Sequence, residues 1–249
     1  MHIKTDGLVI KEQNTGESDR LITILTRNNG LIRAFVRGAK NIKSKNLSST
    51  QLLCYSNFTF YKKKESYIVD SAEPIEVFFD LRNDIEKLSL ALYFAQVAGE
   101  LSPQDDEAQD FLRLLLNSLH LLCNEKRNPL IIKSAFELRI LSNAGYMPDL
   151  LACCECGEFE SDMMYFDVQS GLLSCFECRG NENSQRLSKG VVSAMRYIIY
   201  SEPEKIFDFS LSKSGGKELS DICEKYLITQ TQRSYKTLDF YYSVYGEKI

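Results

Sequence analysis

The chain has 249 residues, of which 44% are hydrophobic, 26% are charged and only five are proline, a composition typical of globular proteins with one or two domains. Its net charge of -4 gives no overall indication of a nucleic-acid partner. Since no apolar run of about eighteen residues occurs and the first residues lack an apolar signal segment, we expect no membrane association and a cytoplasmic location with reduced thiols.

The charge is distributed unevenly along the chain. Between residues 31 and 64 there are basic residues and no acidic one, whereas acidic residues dominate between 76 and 110, where only Arg82 and Lys87 are basic. Such asymmetry indicates a charged partner, and the alternative is a lysine-rich solvated surface. The basic residues of the first segment are Arg33, Arg37, Lys40, Lys43, Lys45, Lys62, Lys63 and Lys64.

Residues 1 to about 75 consist of short segments rich in β-branched and aromatic residues, separated by turn-rich pieces. Five strands are predicted, in DGLVIKE, DRLITILTRNNG, LIRAFVRG, LLCYSNFTFYKKK and ESYIVDSAE. This number of strands in this length favours a small barrel of the OB or SH3 type, with other small β folds as alternatives.

The third predicted strand has two chemically different faces, because successive side chains of a strand point to opposite sides. Ile32, Ala34 and Val36 form the predicted core face. Arg33, Phe35 and Arg37 form the other face, and Tyr55 and Tyr61 of the fourth strand also point outward. Rings that stack on bases and cations that follow phosphates are what a single-strand binder requires. The alternative is that Phe35 and Tyr55 pack against a neighbouring domain.

Helical periodicity begins at about residue 75. The first predicted helix covers 76–101, with a buried face that includes Ile85, Leu88 and Leu92. The second, near 108–125, is apolar almost all round, and Pro129 and Gly145 bound the third. Helices resume at Ser188. The predicted fold is therefore α+β: a small OB-fold barrel at 1–75 that binds DNA, then an α-helical domain at 76–249 with a cysteine element inserted at about 150–181.

The cysteine element contains two Cys-x-x-Cys pairs separated by eighteen residues, a spacing typical of four-thiolate zinc sites. Two residues between cysteines allow one tight turn to present both sulfurs to the same ion. The predicted ligands of one structural Zn²⁺ are Cys153, Cys156, Cys175 and Cys178.

The predicted zinc site is structural, because four thiolates close the coordination sphere that a catalytic zinc keeps open. The chain has only two histidines, His2 and His120, and neither is near the cysteines in sequence. A redox Cys-x-x-Cys would follow a strand of a βαβ unit, and no such unit is predicted. Cys154 is interpreted as a bystander thiol beside the ligand Cys153.

Three blocks of this sequence resemble the RecO family of bacterial DNA repair and recombination mediators. The first is GLVIKEQNTGESDRLITILTRNNGLIRAFVRGAK, and the second is NAGYMPDLLACCECG with SGLLSCFECRG. The third is KYLITQTQRSYKTLDFY, in which Arg233, Lys236, Leu238 and Phe240 match the family pattern. Gln230 and Gln232 stand there in place of the family's His and Gly, and Thr237 in place of Ser.

The resemblance implies an N-terminal OB-fold, a helical C-terminal domain and a mainly architectural zinc element. It further implies a non-enzymatic, nucleoid-associated protein that binds single- and double-stranded DNA and anneals complementary strands, including strands coated with the single-strand binding protein SSB. The implied partners are RecR, the SSB C-terminal tail, RecA indirectly and, in some lineages, RecF.

The predicted DNA-contact residues are the outward cations and ring of the barrel, with two further residues near the C-terminus as DNA or partner contacts. They are Arg20, Arg33, Phe35, Arg37, Lys40, Lys43, Lys45, Lys62, Lys63 and Lys64, followed by Arg233 and Lys236. No phosphate-binding G-x-x-x-x-G-K-[ST] loop occurs, so we expect no nucleotide hydrolysis. The alternatives are a non-enzymatic interaction scaffold with an OB-like domain and a structural zinc, or a metal-dependent nuclease, whose carboxylate or histidine cluster we do not find.

Overall fold

The computed structural model describes residues 2–39, 46–63, 66–124, 127–161, 163–179 and 184–245. Packing divides the chain into two compact units. Unit 1 contains Met1–Asn124 together with Tyr235–Ile249, and unit 2 contains Glu125–Ser234.

A closed five-stranded barrel forms the first part of unit 1, as the sequence predicts. Its strands follow the order β1-β2-β3-β5-β4, and β4 pairs with β1 to close the sheet. All pairs are antiparallel except β3 with β5, which is the arrangement of a small OB-like barrel. The strands are β1 (His2–Thr15), β2 (Asp19–Thr26), β3 (Gly30–Val36), β4 (Cys54–Lys63) and β5 (Ser66–Val77).

The barrel interior is filled by the alternate residues of each strand. Ile32, Ala34 and Val36 of β3 are buried, whereas Arg33 and Phe35 between them are exposed, which confirms the predicted alternation. Removing this apolar area from water stabilises the barrel by about 25 cal/mol per Å². The core also contains Val9, Ile22, Ile24, Ala39, Phe58, Phe60, Val69 and Ala72.

Four helices complete unit 1: α1 (Phe79–Arg82), α2 (Ile85–Leu101), α3 (Gln109–Asn124) and α7 (Lys236–Tyr245). The prediction of a single helix over 76–101 is wrong, because the helix is interrupted at Asn83 and Asp84. The carboxylate of Asp84 accepts hydrogen bonds from the backbone N–H groups of Glu86 and Lys87 and so begins a new helix.

The predicted buried face of this segment is correct in part, since Leu88 and Leu92 are half-buried, but it is wrong at Ile85. Ile85 is 61% exposed, whereas Tyr93, Phe94 and Val97 are fully buried. Helix α2 packs against β1, α3 and α7, so it is enclosed on several sides and its own sequence period does not identify one core face. Helix α3, predicted to be apolar all round, is instead buried along one side.

The turn between β2 and β3 is hydrogen-bonded to the segment between α2 and α3. Leu31 donates to the carbonyl of Pro103 at 3.0 Å, and Ala108 donates to the carbonyl of Arg27 at 2.9 Å. Gly30 has φ +59°, and a Cβ there would lie 2.2 Å from the Pro103 carbonyl oxygen, so only glycine fits. Barrel and helices are therefore joined through backbone contacts within unit 1.

Unit 2 combines three helices with a small sheet: α4 (Pro129–Asn143), α5 (Lys189–Tyr200), α6 (Lys213–Thr231), β6 (Met164–Asp167), β7 (Leu172–Cys175) and β8 (Gln185–Leu187). As predicted, Pro129 opens α4, and Gly145, with φ +91°, lies just beyond its end. The three-stranded sheet has the order β7-β6-β8, and Cys175 of the second cysteine pair is the last residue of β7.

Helix α4 is the most buried helix of unit 2, and it carries an ion network inside the unit. The Lys133 ammonium lies 2.9 Å from a Glu137 carboxylate oxygen and 2.7 Å from one of Glu224, and both Lys133 and Glu137 are fully buried. Such a buried cation requires its anionic partners, because its desolvation is otherwise uncompensated. None of the helices within the described ranges combines the length and apolar character needed to cross a membrane.

Candidate nucleic-acid interface and metal centre

Arg33 and Phe35 lie on the outer surface of β3, where the sequence analysis places them. Arg37 follows the strand and is exposed as well. Arg33 lines a groove of about 640 Å³ within unit 1, between the barrel surface and α2. Lys11 and Thr23 continue this groove along the barrel, and Gln96 and Glu100 line it from α2. The barrel surface at Arg33 is therefore partly covered by a helix of its own unit.

Arg20 has a different environment from the other predicted cations. It pairs with the buried residue Val36 of β3. Because paired residues point to the same side of a sheet, the Arg20 side chain points inward, at the end of the barrel. Its guanidinium lies 3.2 Å from the Glu12 carboxylate, and only 17% of its side chain is exposed. The structure therefore does not bring Arg20 onto the face that carries Arg33 and Phe35.

The lysine side chains at the end of β4 point to opposite faces of the strand. Lys62 pairs with Tyr67, which packs against the barrel core, and its ammonium lies 5.0 Å from the centre of the Tyr67 ring. Lys63 is exposed and lies on the outer face of β4, on the same side as Tyr61. The remaining predicted DNA contacts Lys40, Lys43, Lys45 and Lys64 lie outside the described residues.

Tyr55, the second ring predicted to point outward, is part of a hydrogen-bond network. Its hydroxyl donates to the Asp6 carboxylate and accepts from Arg27 at 3.2 Å, and Arg27 also binds Asp6 directly. Burial alone would raise the pKa of Asp6, but the hydrogen bonds from Arg27 and Tyr55 outweigh it and lower the pKa. Sequence reasoning missed this network because its members are distant in the chain.

The two Cys-x-x-Cys pairs converge at one point of unit 2. The sulfurs of Cys153, Cys156, Cys175 and Cys178 all lie within 4.8 Å of one another. The Cys156 and Cys175 sulfurs are 3.7 Å apart. Tetrahedral coordination with metal–sulfur bonds of about 2.3 Å requires sulfurs about 3.8 Å apart, so the cluster fits a four-coordinate metal ion. Cys154 is exposed and does not belong to the cluster.

The environment of the cluster favours a thiolate at Cys153. Burial raises the pKa of Cys153, but hydrogen bonds from the backbone N–H groups of Cys156, Cys175 and Glu155 outweigh burial and lower it to about 6. In contrast, hydrogen bonds with Cys156 and Cys175 raise the pKa of Cys178. The protein alone thus favours the thiolate of Cys153 and disfavours that of Cys178.

The cysteine element is attached to α6 of the same unit. The Phe166 and Tyr226 rings are in edge contact at 5.2 Å. The side-chain amide of Gln230 donates to the carbonyls of Val168 at 2.8 Å and Gln169 at 3.0 Å, in the turn between β6 and β7. These contacts make the element part of the unit 2 core, which is what a structural role requires.

Two family models match the chain over most of its length. "Recombination protein O N terminal" matches residues 1–78, and "Recombination protein O C terminal" matches residues 82–239. A relative named DNA repair protein RecO from Acetivibrio thermocellus is 39% identical over 240 residues, covering 96% of both chains. Its namesake from Alkaliphilus metalliredigens is 30% identical over 234 residues, covering 94% of this chain and 95% of the relative.

The chain belongs to the RecO family. Its two RecO models meet near the boundary predicted between 75 and 76, whereas packing places α1, α2, α3 and α7 with the barrel in unit 1. Sequence matching and packing therefore divide the chain differently. The domains 1–75 and 76–249 remain a prediction.

One departure from the family pattern in the RecO C-terminal block lies at a position whose backbone favours glycine. Gln232 ends α6 with φ +53°, the left-handed conformation that glycine adopts without strain, and the family pattern has glycine here. Gln230, in place of His, holds the β6–β7 turn. Arg233 and Lys236 are exposed, in the segment after α6 and at the first residue of α7.

Proposed function

We propose that this RecO family protein is a DNA-binding recombination mediator that anneals complementary single strands, including strands coated with SSB. The observation that supports this most directly is the exposed position of Arg33 and Phe35 on the outer face of β3, with exposed Arg37 just beyond the end of the strand. The relatives' name, DNA repair protein, agrees with such a role.

The proposed DNA surface uses two kinds of contact. Arg33, Arg37 and Lys63 neutralise phosphates, which supplies most of the affinity and makes it strongly dependent on salt. Phe35 supplies an apolar ring face for a base. Arg20 contributes little, since Glu12 already neutralises it. Lys40, Lys43, Lys45, Lys62 and Lys64 complete the proposed set.

The proposed activity requires partners but no chemical step. Annealing needs charge neutralisation and bases whose pairing edges stay accessible, and neither involves a covalent reaction. With RecR, and in some lineages RecF, the protein assists the loading of RecA, and it contacts SSB through the SSB C-terminal tail. Arg233 and Lys236 are candidates for DNA or partner contacts. Since chromosomal DNA is the substrate, the protein acts in the cytoplasm at the nucleoid.

The proposed occupant of the cysteine cluster is one Zn²⁺, held by Cys153, Cys156, Cys175 and Cys178. Four thiolates in tetrahedral spacing favour zinc over the hard cations that prefer oxygen ligands. Zinc would cross-link the two cysteine turns and has no open position for substrate. Its role here is to hold the element against α6.

The decisive experiment combines DNA binding with annealing. In Arg33→Glu/Arg37→Glu, affinity for an oligonucleotide at low salt should fall by about tenfold or more, and the dependence on salt should become shallower by about two ions. The matched control is Lys213→Glu/Lys225→Glu, which makes the same charge change at exposed positions of α6.

Annealing of complementary fluorescent strands, bare and SSB-coated, should fall with affinity in the first variant and stay unchanged in the control. Strand lengths should stay intact with any divalent metal, because no cleavage is proposed. Unchanged DNA affinity in the first variant at low salt would overturn the proposed surface, and strand cleavage by the wild type would overturn the non-enzymatic mechanism.

A further inference from the structure

The outward face of β3 continues across the neighbouring strands of the barrel. Phe35 pairs with Leu21 of β2 on one side and with Ile68 of β5 on the other. Ile68 pairs with Tyr61 of β4, and Tyr61 pairs with His2 of β1. Directly paired residues point to the same side of a sheet. These five side chains, Leu21, Phe35, Ile68, Tyr61 and His2, therefore form one row on the outer surface, here named the barrel row.

Exposure agrees with this arrangement. Phe35 is 37% exposed, Tyr61 is 42% exposed and His2 is exposed, whereas Ile68 between Phe35 and Tyr61 is half-buried, as is Leu21 at the end of the row. The rings of His2 and Tyr61 are 5.4 Å apart. With strands about 4.8 Å apart, Phe35 and Tyr61 stand about 10 Å from each other with Ile68 between them. The barrel row thus offers separate ring faces on an apolar base.

Cations flank the barrel row along each strand that carries a ring. Arg33 and Arg37 stand two residues before and after Phe35, Lys63 stands two residues after Tyr61, and Lys4 stands two residues after His2. All four are exposed. Residues two apart on a strand share a face, which places Arg33, Lys63 and Lys4 beside the row, and Arg37 lies just beyond the end of β3. Two acidic residues occupy such positions within the described strands, Asp19 before Leu21 and Asp70 beyond Ile68, and both flank aliphatic members of the row. Phosphates can therefore lie beside rings that hold bases.

We propose that the barrel row is a base-stacking platform that gives this surface a preference for single strands over duplex DNA. The inference rests on the proposed DNA-binding function and adds its selectivity. In a duplex the bases are already stacked on each other and cannot reach a ring, so a duplex meets only the cations. An unpaired base can lie on Phe35, Tyr61 or His2, which adds affinity for single strands of any sequence.

The barrel row also fits the annealing reaction. A base that is held by its flat face keeps its pairing edge free, so a second strand can pair with it without prior release. Hydrogen bonding to base edges would block that pairing. The rings therefore provide single-strand selectivity without opposing the formation of the duplex.

The test is a pair of substitutions that remove the rings and keep apolar side chains, Phe35→Leu/Tyr61→Leu. We expect affinity for a single-stranded oligonucleotide to fall by about tenfold or more, while affinity for a duplex of equal length changes by less than about twofold. Tyr200→Leu, at a tyrosine of α5 that is 50% exposed, is the matched control and should change neither. Arg33→Glu/Arg37→Glu should weaken both forms of DNA.

A second measurement does not depend on the stability of the leucine variant. Because the chain has no tryptophan, Tyr61→Trp introduces a single indole into the barrel row. Its fluorescence should be quenched by single strands and unaffected by duplex, whereas Tyr200→Trp should respond to neither.

The outcomes separate the two proposals. If the wild type binds no DNA, the proposed function is wrong and the platform with it. If the wild type binds DNA but the leucine variant loses single-strand and duplex affinity equally, or keeps both, the platform alone is wrong. An indole at residue 61 that does not distinguish single strands from duplex would also overturn it.

Discussion

The carboxylate of Asp6 and the guanidinium of Arg27 form a bidentate pair, with 2.9 Å between Oδ1 and Nε and 2.7 Å between Oδ2 and Nη2. Asp6 lies on β1 and Arg27 just beyond β2, and Tyr55 of β4 donates to the same carboxylate. Asp6, Arg27 and Tyr55 thus connect β1, the end of β2 and β4. Through Asp6 this network makes the stability of the barrel depend on pH.

Asp6→Asn should lower the free energy of unfolding at neutral pH by about 1–3 kcal/mol, because it removes the charge that Arg27 binds. The pKa of Asp6 is below its ordinary value of 3.8 in the folded protein. Its stabilising contribution is therefore complete above that value and is lost as the pH falls through the lowered folded pKa.

Urea unfolding of wild type and Asp6→Asn at a series of pH values checks this. The difference between them should shrink as the solution is acidified below pH 3.8. The control Asp70→Asn, at an exposed position of β5, should differ little from wild type at any pH. A difference that stays constant from neutral to acid pH would contradict the assignment.

Cys153→Ser should lose the bound metal, and Cys154→Ser should keep it. The reason is geometric: the Cys153 sulfur lies within 4.8 Å of the other three cluster sulfurs, and exposed Cys154 is outside that cluster. Metal content of both purified variants after exposure to a chelator is the measurement. Equal metal content in the two neighbouring variants would show that the ligand set is misassigned.

Gln232→Gly should stabilise unit 2 by about 1 kcal/mol, because glycine adopts the left-handed conformation of this position without strain. The gain is reduced by the lost hydrogen bond from the Gln232 amide to the Thr229 carbonyl, at 2.6 Å. Thermal or urea unfolding measures the change. Gln232→Ala, which keeps a Cβ, should give no gain, and equal stabilisation by both substitutions would disprove the backbone explanation.

Gly171→Ala should destabilise unit 2 more than Gly145→Ala, by about 2 kcal/mol. Both glycines have positive φ, but only at Gly171 would the new methyl lie 2.7 Å from the Tyr226 hydroxyl, and nothing lies within 4 Å at Gly145. Adding Tyr226→Phe to Gly171→Ala should recover part of the loss in a double-mutant cycle. Equal losses of unfolding free energy for the two glycines would mean that positive φ alone, and not the contact with Tyr226, causes the destabilisation.

Lys133→Met should cost about 3–5 kcal/mol, because it leaves Glu137 buried without the cation that neutralises it. An exposed pair provides the contrast: Lys205 lies 2.7 Å from Glu202 with 60% of its side chain exposed, and Lys205→Met should cost less than about 1 kcal/mol. Unfolding free energies of the two variants are compared. Similar costs would mean that burial does not decide the strength of the Lys133 network.

Features of this protein that depend on local spacing follow from its sequence alone. The alternation of Ile32, Arg33, Ala34 and Phe35 between core and surface follows from the two-residue period of a strand. The four cluster cysteines were identified because two residues between cysteines form one metal-binding turn, and the structure brings them together. The strands predicted within residues 1–75 and the start of α4 at Pro129 follow from local sequence in the same way.

Features that join distant segments become visible only in the folded chain. Strand register brings Phe35 next to Ile68 and Tyr61, and the same register points Arg20 toward Glu12 instead of the DNA surface. The packing of α2 against several elements buries Tyr93 and leaves Ile85 exposed, although the helical period of the sequence predicted Ile85 on the buried face. The physical reason is that register and docking depend on the summed burial of many residues, whereas a local period contains no information about which segments meet.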